Sequence, residues 1–294
     1  MITRSETEIE PEKLSTLPSQ PPLAPTVDQS YLKRLETTIA AAEEAVSTGV
    51  EIGAVVSDRP VCRDEKETTL TLSVVIPVYN ERDTITEIVR RVQAVGVHQE
   101  IVIVDDYSLD GTRDVLLELA EQEDIRVLMH GYNRGKGAAL RTAFAEVEGD
   151  VVMIQDADLE YNPEDYTRLL APIERGETDV VYGSRFLENA HQDPSRLHRL
   201  GNWLLTTLSN RMTGQRLTDM ETCYKLFRRE VLQAIPFEQN RFGFEPEITA
   251  RLSRLGKKIL EVPISYNCRG YDEGKKIGLR DGINAVWCIF RYRF

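Results

Sequence analysis

From residue 70 onward the chain alternates between short runs rich in Val and Ile and longer amphipathic stretches. The runs "LTLSVVIPVY", "EIVIVDD", "IRVLMHG", "DVVMIQDAD" and "TDVVYGSR" are short and nearly continuous in apolar residues. That is the signature of parallel strands covered on both faces, which do not show the polar alternation of a half-exposed sheet. Residues 81–95, "GTRDVLLELAEQ" and "GAALRTAFAEV" carry the helical spacing that crossover connections require. The pattern predicts an α/β class with a doubly wound, mostly parallel sheet and flanking helices. In such a sheet the functional groups gather beyond the carboxyl ends of the strands. Four of the predicted strands end in polar groups: Tyr79-Asn80-Glu81, Asp105-Asp106, Asp156-Ala157-Asp158 and Gly183-Ser184-Arg185.

The other segments read differently. Residues 1–69 form an N-terminal extension, with prolines 11, 18, 21, 22 and 25 in its first thirty residues and little apolar content there. Within it, residues 31–46 have the spacing of a short helix. The folded domain is expected over residues 70–276 and a basic amphipathic helix over residues 277–294. Net charge is −12 for 294 residues, and half of the excess lies in residues 1–70. An acidic chain of this kind is a poor nucleic-acid binder, so none is expected as a partner. The four cysteines show no C-x-x-C spacing, which points to reduced thiols rather than disulfides or a zinc site. The first residues lack a signal-peptide core, and no stretch approaches the roughly 18 apolar residues needed to cross a bilayer. The expected location is cytoplasmic, with any membrane contact peripheral.

Two phosphate-binding motifs are excluded. The first strand ends in "PVYNERD", with no glycine for G-x-G-x-x-G. "GYNRGKGAA" is one residue too short for a P-loop, and no Ser or Thr follows Lys136. What remains is "DVVMIQDADLEYNP", a buried run that breaks into Asp156, Asp158 and Glu160. Carboxylates at that place are hard oxygen ligands suited to Mg2+ or Mn2+. A polar turn capping the helix at Asn162-Pro163 also accounts for them.

Together, "SVVIPVYNE", "IVIVDDYSLDGT", "NRGKGAALRTAF", "DADLEYNPED" and "VVYGSRF" resemble family 2 glycosyltransferases with the GT-A fold. The chain is similar in particular to polyprenyl- or dolichyl-phosphate mannose and glucose synthases. The resemblance implies that Pro77, Tyr79 and Glu81 line the nucleobase pocket, with Asp106 near base or ribose and Lys136 enclosing the nucleotide. It implies Asp156 beside donor sugar and metal, Asp158 as the metal ligand proper, and Glu160 assisting it. Arg185 would face the transfer site, with Asp219 near the acceptor. "CRGYDEGKK" is similar to the family segment that grips an acceptor phosphate, which makes Arg269 and Lys276 candidates; its spacing is longer than in many relatives.

The implied reaction is metal-dependent, inverting transfer of a hexose from a UDP- or GDP-sugar to a polyprenyl phosphate. A phosphomonoester, with its second pKa about 6, is mostly dianionic at neutral pH and needs cations, not a base. Arg185, Arg199, Arg269 and Lys276 would supply them. A hydroxyl acceptor would instead need a carboxylate base, from Asp219, Glu221 or Glu245. A non-catalytic nucleotide-sugar-binding scaffold is a third reading. The stripes Leu197, Leu200, Trp203, Leu204, Leu208 and Ile283, Val286, Trp287, Ile289, Phe290 are each flanked by arginines. They suit either a membrane surface, with or without a membrane-embedded partner protein, or the domain's own core.

Overall fold

Residues 70–187, 196–268 and 279–293 are described by a computed structural model of the chain. The extension 1–69, its expected helix, and Arg269 and Lys276 lie outside the described residues. Seven strands form one sheet in the order β3-β2-β1-β4-β6-β5-β7. They are β1 (Leu72–Val78), β2 (Glu100–Asp105), β3 (Ile125–Met129), β4 (Val151–Ile154), β5 (Val180–Ser184), β6 (Lys225–Arg228) and β7 (Leu260–Pro263). β1 lies between β2 and β4 and is parallel to both, with Val75 paired to Val102 on one side and Ile154 on the other. Its apolar side chains are buried, which explains why the run shows no alternation.

Two strands escaped the sequence pattern. β6 and β7 are four residues each and carry Lys225, Arg228 and Glu261 among their apolar residues. β6 runs antiparallel between β4 and β5, making the sheet mixed at this side.

Among the helices, α1 (Ile85–Val95) buries Ile85, Ile88, Val89 and Val92 and stops at Gly96, which takes a left-handed φ of 70°. It begins later than residue 81, after a turn in which the carbonyl of Glu81 accepts the amides of Thr84 and Ile85. Next come α2 (Thr112–Leu119), α3 (Lys136–Phe144) and α4 (Tyr166–Glu174). α4 is entered through a 3-10 turn, Pro163–Asp165, in which the Asn162 side chain caps the amide of Glu164.

The remaining helices are α5 (Arg196–Thr213), α6 (Arg229–Gln233), α7 (Phe244–Arg254) and α8 (Leu279–Arg291). α5, α7 and α8 pack against one another. The two apolar stripes divide unequally. Leu208 and Ile289 face the core, whereas Leu200, Trp203, Leu204, Ile283, Val286, Trp287 and Phe290 are exposed. No helix among the described residues is long and apolar enough to cross a membrane.

The chain leaves β1 toward β2 and β3 on one side and returns to β4 on the other, so a crevice opens at the carboxyl ends of β1 and β4. The polar strand ends meet there.

Candidate active site

The floor of the crevice is stitched from the loops after β1 and β2. Asn80, held at a left-handed φ of 52°, donates its amide to Ser108 and accepts the amide of Leu109 at its side chain. The amide of Glu81 is held by Thr112 Oγ1 at 3.0 Å. Tyr79, Glu81 and Pro77 are half-buried along this seam. Asp106 is buried and committed to the protein: its carboxylate accepts from His130 Nδ1 at 2.7 Å and from the amides of Arg134 and Gly135. Through these bonds it seats the loop that leads into α3.

Lys136 opens α3 and is the hinge of the acid side. Its Nζ lies 2.9 Å from Asp156 Oδ1 and 3.5 Å from Glu245 Oε1. Burial opposes the charge on both partners, but their mutual attraction wins. Asp156 stays ionised below the usual carboxylate range and Lys136 stays charged well above the usual lysine range. Gly135 and Gly137 make this placement feasible. A Cβ on either would come within 3.0 Å of a backbone oxygen in the loop 239–240.

Beyond Asp156 the chain turns at Leu159, whose φ of 63° is left-handed, and the amide of Glu160 donates back to Asp158 Oδ1 at 3.2 Å. Tyr266 donates its hydroxyl to Glu160 Oε2 at 2.7 Å. Among the described residues no three ligating side chains form a ready cage. That donor set still fits Mg2+ or Mn2+, which commonly take one or two carboxylates and complete their shell with substrate phosphates and water. Asp158, with Glu160 and Asp156 beside it, would hold such an ion. A recess of about 680 Å3 opens on the outer side of this loop, between it and α1, and includes Glu160 and Tyr266 in its wall.

The opposite wall is built on an ion pair. Arg185, at the end of β5, grips the fully buried Asp219 as a fork, with Nε at 2.7 Å from Oδ2 and Nη2 at 2.8 Å from Oδ1. The Arg185 amide completes the clasp. Tyr266 links the two walls: the guanidinium lies 5.1 Å from its ring centre while its hydroxyl holds Glu160. Beneath them sits Lys225, fully buried, donating to the carbonyls of Met220 and Thr222 and lying over the Tyr182 ring. Burial draws its ammonium below the ordinary lysine value, against the pull of Glu245 and Glu221. Glu221 moves the other way. Burial, then the neighbouring Glu245, pushes its carboxyl up to about 8.

The structure thus joins Asp156 to Lys136 and Arg185 to Asp219, and ties Glu160 toward Arg185 through Tyr266, with Asp158 bonded to the Glu160 amide. Arg199 is exposed on α5. Sequence reasoning missed Lys225, although a lysine inside "CYKLFR" was a visible anomaly. Glu247 is fully buried and accepts the amides of Glu238 and Gln239 and the guanidinium of Arg251. That fixes the loop against which α3 is seated.

The chain has known relatives. Residues 73–235 match the sequence profile of "Glycosyl transferase family 2". The chain belongs to that family. It is 33% identical over 222 residues to the undecaprenyl-phosphate 4-deoxy-4-formamido-L-arabinose transferase of Edwardsiella ictaluri, covering 74% of this chain. The match spans 66% of that relative's own length. Among solved structures, the glucosyl-3-phosphoglycerate synthase of Mycobacterium tuberculosis, crystallised with Mn2+, UDP and glucosyl-3-phosphoglycerate, superposes with a TM-score of 0.60 at 23% identity. That match covers 76% of this chain and 80% of the synthase. The mannosyl-3-phosphoglycerate synthase of Rubrobacter xylanophilus gives 0.61 at 24% identity, covering 77% and 73%. The fold is accordingly GT-A.

Proposed function

We propose that the protein is a metal-dependent, inverting hexosyltransferase that moves a sugar from a UDP- or GDP-hexose to a polyprenyl phosphate, working as a peripheral protein at the cytoplasmic membrane face. Pro77, Tyr79 and Glu81 would bound the nucleobase, and Lys136 would close over the diphosphate. Asp106 would lie near the base or ribose, seating the loop that carries Lys136. A divalent ion on Asp158 and Glu160 would neutralise the departing diphosphate. Asp156, held by Lys136, would face the donor sugar. Arg185 would hold the acceptor phosphate in line, helped by Arg199, Arg269 and Lys276.

The observation that carries this reading is the Arg185–Asp219 fork. The fully buried carboxylate balances the charge of Arg185 and fixes its guanidinium in place, so that its remaining N–H groups are preorganised donors, which suits an acceptor that is already anionic. The same fork occupies both oxygens of Asp219, removing it as a free base for a hydroxyl acceptor. The name of the Edwardsiella relative supports a polyprenyl-phosphate acceptor.

The test is label transfer from radiolabelled UDP-glucose and GDP-mannose with Mn2+ or Mg2+, with and without polyprenyl phosphate, followed by solvent extraction. Metal-dependent label in the lipid phase is expected with one of the two donors, lost in the Asp158→Ala variant. Donor turnover with no lipid product would sink the acceptor assignment.

One observation favours a second reading, a hydroxyl acceptor with Glu221 as base, because its pKa of about 8 suits proton abstraction near neutrality. The pH profile separates the two. A phosphate acceptor predicts kcat/KM rising through about pH 6 and level above it. Glu221 as base predicts a rise that continues to about pH 8 and disappears in Glu221→Gln.

A further inference from the structure

Of the twelve large apolar side chains exposed among the described residues, seven lie on α5 and α8. They are not scattered. On α5 the exposed positions are Arg199, Leu200, Trp203, Leu204, Thr207 and Arg211, a single stripe at helical spacing. On α8 they are Ile283, Val286, Trp287, Phe290 and Arg291, again one stripe. The inward sides carry polar groups that a core would ordinarily exclude: Thr206 and Ser209 on α5 are buried, and Asn210 faces the loop after the helix. The two helices pack together, and Arg293 beyond α8 reaches Met212 of α5 at 3.5 Å. Their stripes therefore share one region of the surface.

Charge separates the candidate occupants. The whole chain carries −12, yet α5 contains no acid and α8 only Asp281. Among the described side chains, the exposed charges on α5, on α8 and just past α8 are Arg199, Arg211, Arg291 and Arg293. A second copy seated face to face would set two such cationic rims against each other. An anionic surface would not.

We propose that the outward faces of α5 and α8 form a docking surface for an anionic lipid bilayer, with the apolar stripes in the interface and the arginines on the headgroups. The surface is read from exposure and charge; only its purpose rests on the lipid-acceptor reading above. α5 ties that purpose to the site. Thr206 accepts the amide of Met220, and Asn210 exchanges two hydrogen bonds with Leu217, so the docked helix holds both ends of the segment carrying Asp219. The face would thus bring the Arg185–Asp219 wall toward the membrane.

The chain's two tryptophans, Trp203 and Trp287, both lie on this face. Intrinsic fluorescence of the unlabelled full chain therefore reports on it alone. The probe is phosphatidylcholine vesicles with and without phosphatidylglycerol, and with brominated acyl chains as quencher. Emission should shift to shorter wavelength and be quenched only with phosphatidylglycerol present. Replacing Arg211 by Gln should weaken the partition roughly fivefold. Leu204→Glu and Phe290→Glu, both surface changes, should abolish the shift with circular dichroism and melting temperature unchanged.

Emission that ignores vesicles overturns the proposal. If it is already short-wavelength in the free protein and insensitive to dilution, the chain covers its own face. If dilution shifts it to longer wavelength, a second copy is the occupant. Equal binding to pure phosphatidylcholine would remove the charge argument and overturn the anionic partner. Vesicle binding needs no sugar donor. Intact transfer to a short-chain acceptor without binding sinks the surface alone, and intact binding without any transfer sinks the reaction alone.

Discussion

The side chain of Asp219 has no exposure, and its charge is balanced by a guanidinium that reaches solvent on one side. Removing Arg185 leaves that carboxylate buried without its fork, a loss on the order of 3 kcal/mol. Arg185→Ala should lower the melting temperature in a thermal scan. Arg185→Lys keeps the charge but loses the second bond and the planar grip. Losing one charge-assisted hydrogen bond, about 1.5–3 kcal/mol if felt in the transition state, corresponds to a tenfold to hundredfold fall in turnover, roughly. Steady-state kinetics on a folded Lys variant would read it. Glu221 gives a pH signature in stability. Its carboxyl is raised in the fold, so its stabilising contribution is complete below the ordinary glutamate range and is lost as pH rises through about 8. Melting temperature should therefore carry a declining contribution from about pH 4.5 up to about 8 that levels off above it, and Glu221→Gln should flatten that decline. The acids at the strand tip were legible in sequence because three carboxylates after an apolar run are conspicuous. Their partners were not, since Lys136 lies twenty residues before Asp156 and Asp219 thirty-four after Arg185.

At the scale of elements, the start of α3 depends on a loop a hundred residues away. Asn240 accepts the amide of Ala138, and Arg141 holds the carbonyls of Phe237 and Gln239. Glu247 anchors that same loop from α7. Gly137→Ala would drive a Cβ into the carbonyl of Gln239, and overpacking of this kind costs about 1–3 kcal/mol. Expected outcomes are a lower denaturant midpoint and a raised KM for the donor, because Lys136 is displaced with the helix start. Glu247→Gln should produce the same pair of effects in weaker form. Long apolar strands and the helix at 85–95 could be read from periodicity, whose signal grows with length. β6 and β7 could not. Four residues give almost no periodicity, and their charged members are neutralised or solvated only by the fold.

Across the whole molecule, the proposed metal serves the reaction and not the fold. No ready cage of three ligands exists among the described residues, so a chelator should abolish transfer while leaving the melting temperature of the donor-free protein nearly unchanged. Donor and Mn2+ together should raise it by linkage, more than either alone. Thermal shift with the four combinations checks this.

Local sequence by itself determined the class of fold and the rim on which the acids fall, because strand length, crossover helices and the carboxyl-end rule are near-neighbour properties. It also determined that α5 and α8 would be amphipathic. Which way their apolar stripes turned was decided only by tertiary structure. Thr206 and Asn210 find hydrogen-bond partners inside, at Met220 and Leu217, and those bonds rotate α5 so that Trp203 and Leu204 face out. The pairing of Lys136 with Asp156, and of Arg185 with Asp219, was decided in the same way. Electrostatic attraction depends on distance in space, and only the folded sheet sets that distance.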